Sequence, residues 1–266
     1  MSKAATKEKD PMTAAIEAHD QAVRGTEIIR VVDETGSMLE RKPATISAIN
    51  EFLGTQWANP NPAWVTMTFF HSEKIRTPIS GVELSKVANL ADKDYQPNNM
   101  TPLYDAIGKT VRSVEKRREA TPEKDRAAII VLIVTDGQEN ASKEFTKEGI
   151  TTLIKEKEKD GWSFVYVGAN QDAWAVSAAI GIAAANTVSY VDKGDDDGLR
   201  AFHGTYSTMS LSTSRYRTAV SHTAGASLST VGTKSFFQDP TKLVGDTPTT
   251  TDTVDVVKVD DSTAKP

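Results

Sequence analysis

Two continuous apolar runs, each ending in a carboxylate, constrain the fold of this chain more than any other feature of its sequence. EIIRVVD at residues 27–33 and AAIIVLIVTD at residues 127–136 are rich in β-branched residues and show almost no polar alternation. Such runs are typical of strands that are covered on both faces, as in a parallel sheet. Because helical patterns alternate with them, the sequence predicts an α/β domain.

The remaining segments predict the other elements of this domain. AWVTMTFFH at residues 63–71 and KIRTPI at residues 74–79 read as a hairpin, so the second run should be an antiparallel edge strand, where Pro78 is tolerated. WSFVYVGAN and TVSYV add two strands, with helices at apolar spacing between the strands. We therefore predict a doubly wound, Rossmann-like, mostly parallel six-stranded sheet with helices on both faces, spanning residues 27–191.

The segments outside this domain differ in composition. Residues 1–26 form a polar N-terminal extension that could hold a short helix, and residues 192–221 predict a helical extension that packs on the domain. Residues 222–266 are rich in serine and threonine, and we expect a flexible tail because they hold too few apolar residues for a core. VDVVKV within this tail could pair as a strand if a partner supplies a sheet edge.

Composition excludes several classes of site and partner. The chain has 266 residues, a net charge of -5 and no cysteine, so a disulfide scaffold, a thiolate zinc site and a cysteine nucleophile are excluded. Mild acidity argues against a nucleic-acid partner. No apolar run approaches the ~20 residues that cross a bilayer. The N-terminus carries no apolar signal segment, so we expect no membrane association and a cytoplasmic location.

Oxygen-bearing side chains follow the predicted strands at the points where those strands end. Asp33, Thr35 and Ser37 follow the first strand at alternate positions, Thr101 ends a long loop, and Asp136 ends the strongest strand. Ligands of open parallel sheets bind beyond the carboxyl ends of the strands, where the strand order reverses. Because every one of these groups is a hard oxygen, the set favours Mg²⁺, or alternatively Mn²⁺ or Ca²⁺, over zinc or copper.

Electrostatics also favour a cation between the two aspartates. If their strands are neighbours, Asp33 and Asp136 lie roughly 5 Å apart, one strand spacing. Two carboxylates this close raise the pKa of one of them unless a positive charge lies between them. A divalent ion provides that charge.

Three ordered motifs carry a resemblance to a known family. DETGSM at residues 33–38, NNMTPLYDAI at 98–107 and VTDGQEN at 134–140 resemble the three segments of a metal-ion-dependent adhesion site. That site is the signature of the von Willebrand factor A domain family, with the pattern D-x-[ST]-x-S, then a lone threonine, then aspartate followed by glycine. The wider arrangement, including GANQDA after the fifth strand, is similar to compact members from bacteria and their phages, and cellular and phage origins both stay open.

The resemblance implies specific roles for the candidate residues. Thr35 and Ser37 would bind the ion directly, Thr101 would bind it directly or through water, and Asp33 and Asp136 would act mostly through water. In many members of the family, an Asp or Glu of a protein partner fills the open coordination position. The implied function is therefore metal-dependent protein binding.

Two alternative functions stay open at this point. The chain could be a structural component of a virion or another assembly, with its terminal segments ordering on neighbouring subunits. If it is encoded by a phage, its location would be the host cytoplasm or the virion. Metal-dependent hydrolysis has less support, because the sequence offers no P-loop, no D-x-D motif and no histidine near the motifs.

The residues that flank the motifs have ordinary structural interpretations. Glu34 and Glu139 are predicted to be solvated loop charges, and Asp105 is predicted to stabilise the N-terminus of its helix. Asn99 is predicted to be a turn residue, and His71 a surface residue.

Overall fold

A computed structural model describes residues 23–170, 172–191 and 194–245. The strands are β1 (Thr26–Asp33), β2 (Ala63–His71), β3 (Lys74–Glu83), β4 (Ala128–Thr135), β5 (Ser163–Ala169) and β6 (Thr187–Tyr190). The helices are α1 (Lys42–Trp57), α2 (Leu103–Glu119), α3 (Lys147–Lys159), α4 (Asp172–Ala179) and α5 (Asp196–Ser221).

The six strands form one sheet in the order β3-β2-β1-β4-β5-β6. β3 pairs antiparallel with β2, and every other pairing is parallel, which confirms the predicted doubly wound sheet with one antiparallel edge strand. β1 lies between β2 and β4. The strands that follow β1 first, β2 and β3, lie on one side of it, and the later strands, β4 to β6, lie on the other side. This reversal opens a crevice at the carboxyl ends of β1 and β4.

Helices cover both faces of the sheet, which explains the continuous apolar runs. All eight residues of β1 and all eight of β4 are buried. Side chains at alternate positions of these strands pack with α1 and α5 on one face, and the intervening ones pack with α2, α3 and α4 on the other. A strand buried on both faces is mostly apolar, hence the pattern of the sequence, and the buried Glu27 and Arg30 of β1 are exceptions to it.

The segment after α5 packs on the domain instead of forming the predicted tail. Val231 and Phe236 are fully buried and Leu243 is 6% exposed. The Asn186 side chain donates to the Thr233 carbonyl at 2.9 Å and accepts from the Phe236 backbone N–H at 2.9 Å. The expectation of a flexible tail from residue 222 is therefore wrong up to residue 245, because a few spaced apolar side chains and one amide dock this polar segment.

Some predicted features lie outside the described residues. They include the VDVVKV segment, the rest of residues 246–266, and nearly all of the short helix predicted in the N-terminal extension. Within the described ranges, none of the helices combines the length and the apolar character that crossing a membrane requires.

Candidate metal centre

β1 carries Asp33 to the carboxyl edge of the sheet, where its side chain is fully buried. One carboxylate oxygen, Oδ1, accepts the backbone N–H of Thr35 at 2.8 Å. The other, Oδ2, accepts the hydroxyl of Thr135, the last residue of β4, at 2.5 Å. The parallel register of β1 and β4 brings these two strand ends side by side. Asp33 is thus held in a single orientation by its own loop and by the neighbouring strand.

A short turn after β1 brings two hydroxyls together beside the second aspartate. Residues 36–38 form one turn of 3-10 helix, so the chain doubles back directly after Thr35. The Thr35 and Ser37 hydroxyl oxygens lie 3.1 Å apart, and the Ser37 hydroxyl donates to Asp136 Oδ1 at 2.7 Å. Adjacent ligand oxygens of an octahedral Mg²⁺ at ~2.1 Å lie ~3.0 Å apart, close to the separation of the two hydroxyl oxygens.

The loop that carries Thr101 closes the third side of the site. The Gly36 N–H donates to the Asn99 carbonyl at 2.9 Å, and the Thr101 N–H donates to Asn140 Oδ1 at 2.8 Å. A methyl group added to Gly137 would lie 2.8 Å from Thr101 Oγ1 and 3.5 Å from Asp33 Oδ2. The Thr101 hydroxyl therefore shares one small space with the Asp33 carboxylate, and glycine leaves that space open.

All five residues predicted from the sequence thus meet at one place, contributed by three loops. The set consists of two carboxylates and three hydroxyls, namely Asp33, Asp136, Thr35, Ser37 and Thr101. No group of three or more His, Asp or Glu side chains in the described residues is arranged to hold a metal ion, and the candidate centre itself relies on two carboxylates and three hydroxyls. The donor set fits a hard divalent cation, because it contains oxygen and no nitrogen or sulfur.

The protein itself compensates the negative charges of the two aspartates poorly. Burial raises the pKa of Asp33 to about 6; hydrogen bonds from Thr135 and Thr35 oppose this rise, and the nearby charge of Asp136 adds to it. Burial also raises the pKa of Asp136, against the hydrogen bond from Ser37 and the positive charge of Arg41. Both carboxylates would gain from a cation between them.

Glu34, expected in water, is instead buried and paired. It is 1% exposed, and Arg76 of β3 donates to both of its carboxylate oxygens, at 2.6 and 3.2 Å. The backbone N–H of Gln96 donates to the same carboxylate at 2.5 Å. The prediction of a solvated charge is wrong, because the register of β3 places Arg76 opposite Phe69 of β2, and its side chain reaches Glu34 from there. Glu34 fixes the start of the Thr101 loop against the first motif.

Two further carboxylates tie the third motif to the start of α2. Glu139 accepts the backbone N–H groups of Tyr104 and Ser142 at 2.9 and 2.7 Å, so it is not the solvated charge predicted. Asp105 accepts three backbone N–H groups from the segment before α3, residues 143–145, at 2.8 to 2.9 Å. Despite its partial burial, these hydrogen bonds hold the pKa of Asp105 below its usual value. The loops that carry Thr101 and Asp136 are therefore locked together.

Two residues near the motifs have local roles. Asn99 adopts a left-handed backbone conformation, with φ of 61°, as suits the predicted turn residue. His71 ends β2 at the same edge of the sheet and is half-buried, with no hydrogen-bond partner for Nδ1 among the described residues.

The strand order and the single antiparallel strand are consistent with the Rossmann-like fold of the von Willebrand factor A family. No protein-family model matches the chain, and no curated protein matches its sequence. Among solved structures, it is similar to a von Willebrand factor type A protein from Catenulispora acidiphila, with 14% identity and a TM-score of 0.49, covering 71% of this chain and 43% of that one.

Two other solved structures show a comparable likeness. Proximal thread matrix protein 1 from the mussel byssus has 13% identity and a TM-score of 0.45, covering 69% of this chain and 45% of that one. The manganese-loaded TRAP protein of Plasmodium vivax has 14% identity and a TM-score of 0.47, covering 68% and 72%. The chain thus spans less than half of the first two proteins. At these TM-scores the likenesses carry no weight, and the fold assignment rests on the strand order and register.

Proposed function

We propose that this chain is a divalent-metal-dependent protein-binding module. Its site would hold Mg²⁺, or alternatively Mn²⁺ or Ca²⁺, and would accept an Asp or Glu carboxylate from a protein partner. The observation that supports this most is the meeting of Asp33, Thr35, Ser37, Thr101 and Asp136 at the carboxyl edge of the sheet. A bound divalent cation would neutralise the two aspartates and attract a further anionic oxygen.

The hydrogen bonds suggest how the chain's own residues would hold the ion. Asp33 accepts the Thr35 N–H and so fixes the Thr35 side chain at the site. Ser37 donates its only hydroxyl proton to Asp136, which leaves its oxygen lone pairs available to a cation. We propose that Thr35 and Ser37 bind directly, that Asp33 and Asp136 act mostly through water, and that Thr101 binds directly or through water.

Exposed apolar side chains around the site favour a protein partner. Leu39, just after the first motif, is 59% exposed, and Met100, just before Thr101, is 53% exposed. Trp174 on α4, which follows β5 at the same edge of the sheet, is 46% exposed. Apolar and aromatic anchors around a polar centre are common in protein–protein interfaces. The ion would supply orientation and charge, and these side chains would supply contact area.

Partner capture with and without EDTA tests the proposal. Wild type should retain partners in Mg²⁺ and release them in EDTA, while Asp33→Ala should retain none beyond the EDTA background. Asp92→Ala is the matched control, because Asp92 is an exposed loop carboxylate that pairs with Lys42 at 2.8 Å. Calorimetry with Mg²⁺ alone should show binding to wild type and Asp92→Ala and none to Asp33→Ala. Partner capture that survives EDTA would contradict the proposal.

The alternative role in assembly concerns the terminal segments, so a truncated chain tests it. The tail boundary expected from the sequence, residue 222, is not a suitable place for this truncation. Ending the chain at residue 222 would remove Val231 and Phe236 from the core. Ending it after Gly245 leaves that packing intact. Loss of assembly with Mg²⁺ binding retained in this truncated chain would favour the structural role. A phosphatase screen with Mg²⁺ tests the third possibility, hydrolysis, directly.

A further inference from the structure

Cationic side chains line two adjoining cavities at the amino-terminal edge of the sheet. This edge lies opposite the candidate metal centre, roughly 25 Å away along β1. The cavities measure about 260 and 620 Å³ and share a wall that includes Trp64 and Arg126. The cationic lining residues are Arg24, Arg117, Arg118, Lys124 and Arg126, and the anionic ones are Glu27 and Asp125. We name this the arginine pocket; its positive excess contrasts with a chain whose net charge is -5.

One of the two carboxylates that line the arginine pocket already forms an ion pair with an arginine. Glu27 is 4% exposed, and Arg117 Nη2 and the Thr66 hydroxyl both donate to its Oε1. Asp125, the other carboxylate, is exposed and forms no ion pair with any residue in the described ranges. The charges of the other arginines are therefore not balanced by buried carboxylates.

Three guanidinium groups of the pocket have only neutral partners within the described chain. Each donates to a backbone carbonyl oxygen: Arg24 to Ala226 at 2.5 Å, Arg118 to Ala127 at 2.7 Å and Arg126 to Thr121 at 2.8 Å. Arg118 lies in the last turn of α2, where the negative end of the helix dipole stabilises its positive charge. Arg24 and Arg126 lie outside the helices, so this stabilisation does not apply to them.

The buried guanidinium group of Arg24 gives the strongest support for an anion-binding site. Arg24 is 8% exposed, and its Nε and Nη1 are buried without a hydrogen-bond partner among the residues that the structure describes. Buried donors on a charged group are costly when no acceptor is present. Burial lowers the pKa of Arg118 to about 10; the Glu27 carboxylate opposes this lowering, and the positive charges of Arg126, Arg117 and Arg24 add to it. An anion within the pocket would supply acceptors and relieve the repulsion.

We propose that the arginine pocket binds a phosphate-bearing small molecule. Guanidinium groups bind phosphate through paired, charge-assisted hydrogen bonds, and several of them around one cavity match an anion with more than one negative charge. Where the two cavities meet at Arg126, between Arg118 of the smaller one and Arg24 of the larger one, they offer room for pyrophosphate or a small phosphate ester. This proposal is independent of the metal-dependent function, because none of the pocket's lining residues belongs to the metal centre.

Calorimetry with pyrophosphate, without divalent ions and at constant ionic strength, tests the proposal. Wild type should bind pyrophosphate, and Arg126→Gln should bind at least about tenfold more weakly, since it loses one charge-assisted contact. Arg112→Gln is the matched control, because Arg112 is exposed on α2 and pairs with Glu115 at 2.7 Å. It should bind like wild type.

Further measurements test whether the variants fold and whether the pocket prefers phosphates to carboxylates. Arg24→Gln should weaken binding as Arg126→Gln does, and thermal melts without ligand should show that both variants fold. Succinate, a dicarboxylate, should bind at least about tenfold more weakly than pyrophosphate, because each carboxylate brings a single charge. Absent binding to wild type, equal binding to Arg126→Gln and Arg112→Gln, or equally tight binding of succinate would overturn the proposal.

Discussion

Replacing Asp33 with asparagine should stabilise the metal-free protein while abolishing its response to Mg²⁺. The Asp33 carboxyl is fully buried, and burial raises its pKa from 3.8 to about 6. That difference corresponds to about 3 kcal/mol lost on folding when the carboxyl is ionised near pH 8, since each pKa unit is worth about 1.4 kcal/mol. Asparagine removes the charge and keeps the shape of the side chain.

The hydrogen bonds at this position can adjust to the amide. The asparagine oxygen can accept the Thr35 N–H, as Asp33 Oδ1 does at 2.8 Å. The new NH₂ group can donate to the Thr135 hydroxyl, which can turn toward the Gly137 carbonyl 3.2 Å away. Allowing about 1 kcal/mol for imperfect geometry leaves a gain of about 2 kcal/mol, or roughly 4–8 °C in Tm.

Thermal melts in EDTA between pH 4 and 8 provide the assay. Because the folded-state pKa of Asp33 lies above its unfolded value, its favourable contribution is complete below pH 4 and is lost as the pH rises to about 6. The advantage of Asp33→Asn over wild type should therefore grow across this window and stay constant above it. With Mg²⁺ added, wild type should gain Tm and the variant should not. A variant that is less stable than wild type in EDTA at pH 8 would refute this reasoning.

Three other predictions concern the metal centre and the core. Ser37→Ala should reduce the Mg²⁺ affinity measured by calorimetry at least about tenfold with little change of Tm in EDTA, because Ser37 is exposed and lacks core contacts; unchanged affinity would exclude Ser37 as a ligand. Gly137→Ala should also weaken Mg²⁺ binding, because its methyl group would lie 2.8 Å from Thr101 Oγ1; an unaltered binding isotherm would contradict this. In urea titrations, Arg217→Met should lower the free energy of unfolding by about 3 kcal/mol, since Arg217 is fully buried and donates to several carbonyl oxygens. Arg30→Met should change it by less than about 1 kcal/mol, because the equally buried Arg30 lies over the Phe52 ring at 4.4 Å and donates to no carbonyl or carboxylate oxygen among the described residues; the opposite ranking of the two variants would show that the aromatic contacts fully compensate the Arg30 charge.

The sheet and the five residues of the candidate metal centre were predictable from the sequence alone. The β-branched runs are typical of strands covered on both faces, and parallel strands bring their carboxyl ends to one edge. Asp33 and Asp136 therefore had to lie close together once β1 and β4 were neighbours. This prediction needed only periodicity and the direction of the chain, both of which are local properties.

The burial of the charged residues, and the partners they bury with, could not be predicted from the sequence and depend on the three-dimensional packing. Glu34 became a buried ion pair because the register of β3 brings Arg76 beside it, 42 positions along the chain. The arginine pocket joins the start of β1, the end of α2 and the turn before β4, and the segment after α5 is docked by Asn186 and a few apolar side chains. Such pairings depend on strand register and helix packing across long separations. A charged or serine-rich segment therefore looks equally solvated in the sequence whether the fold buries it or not.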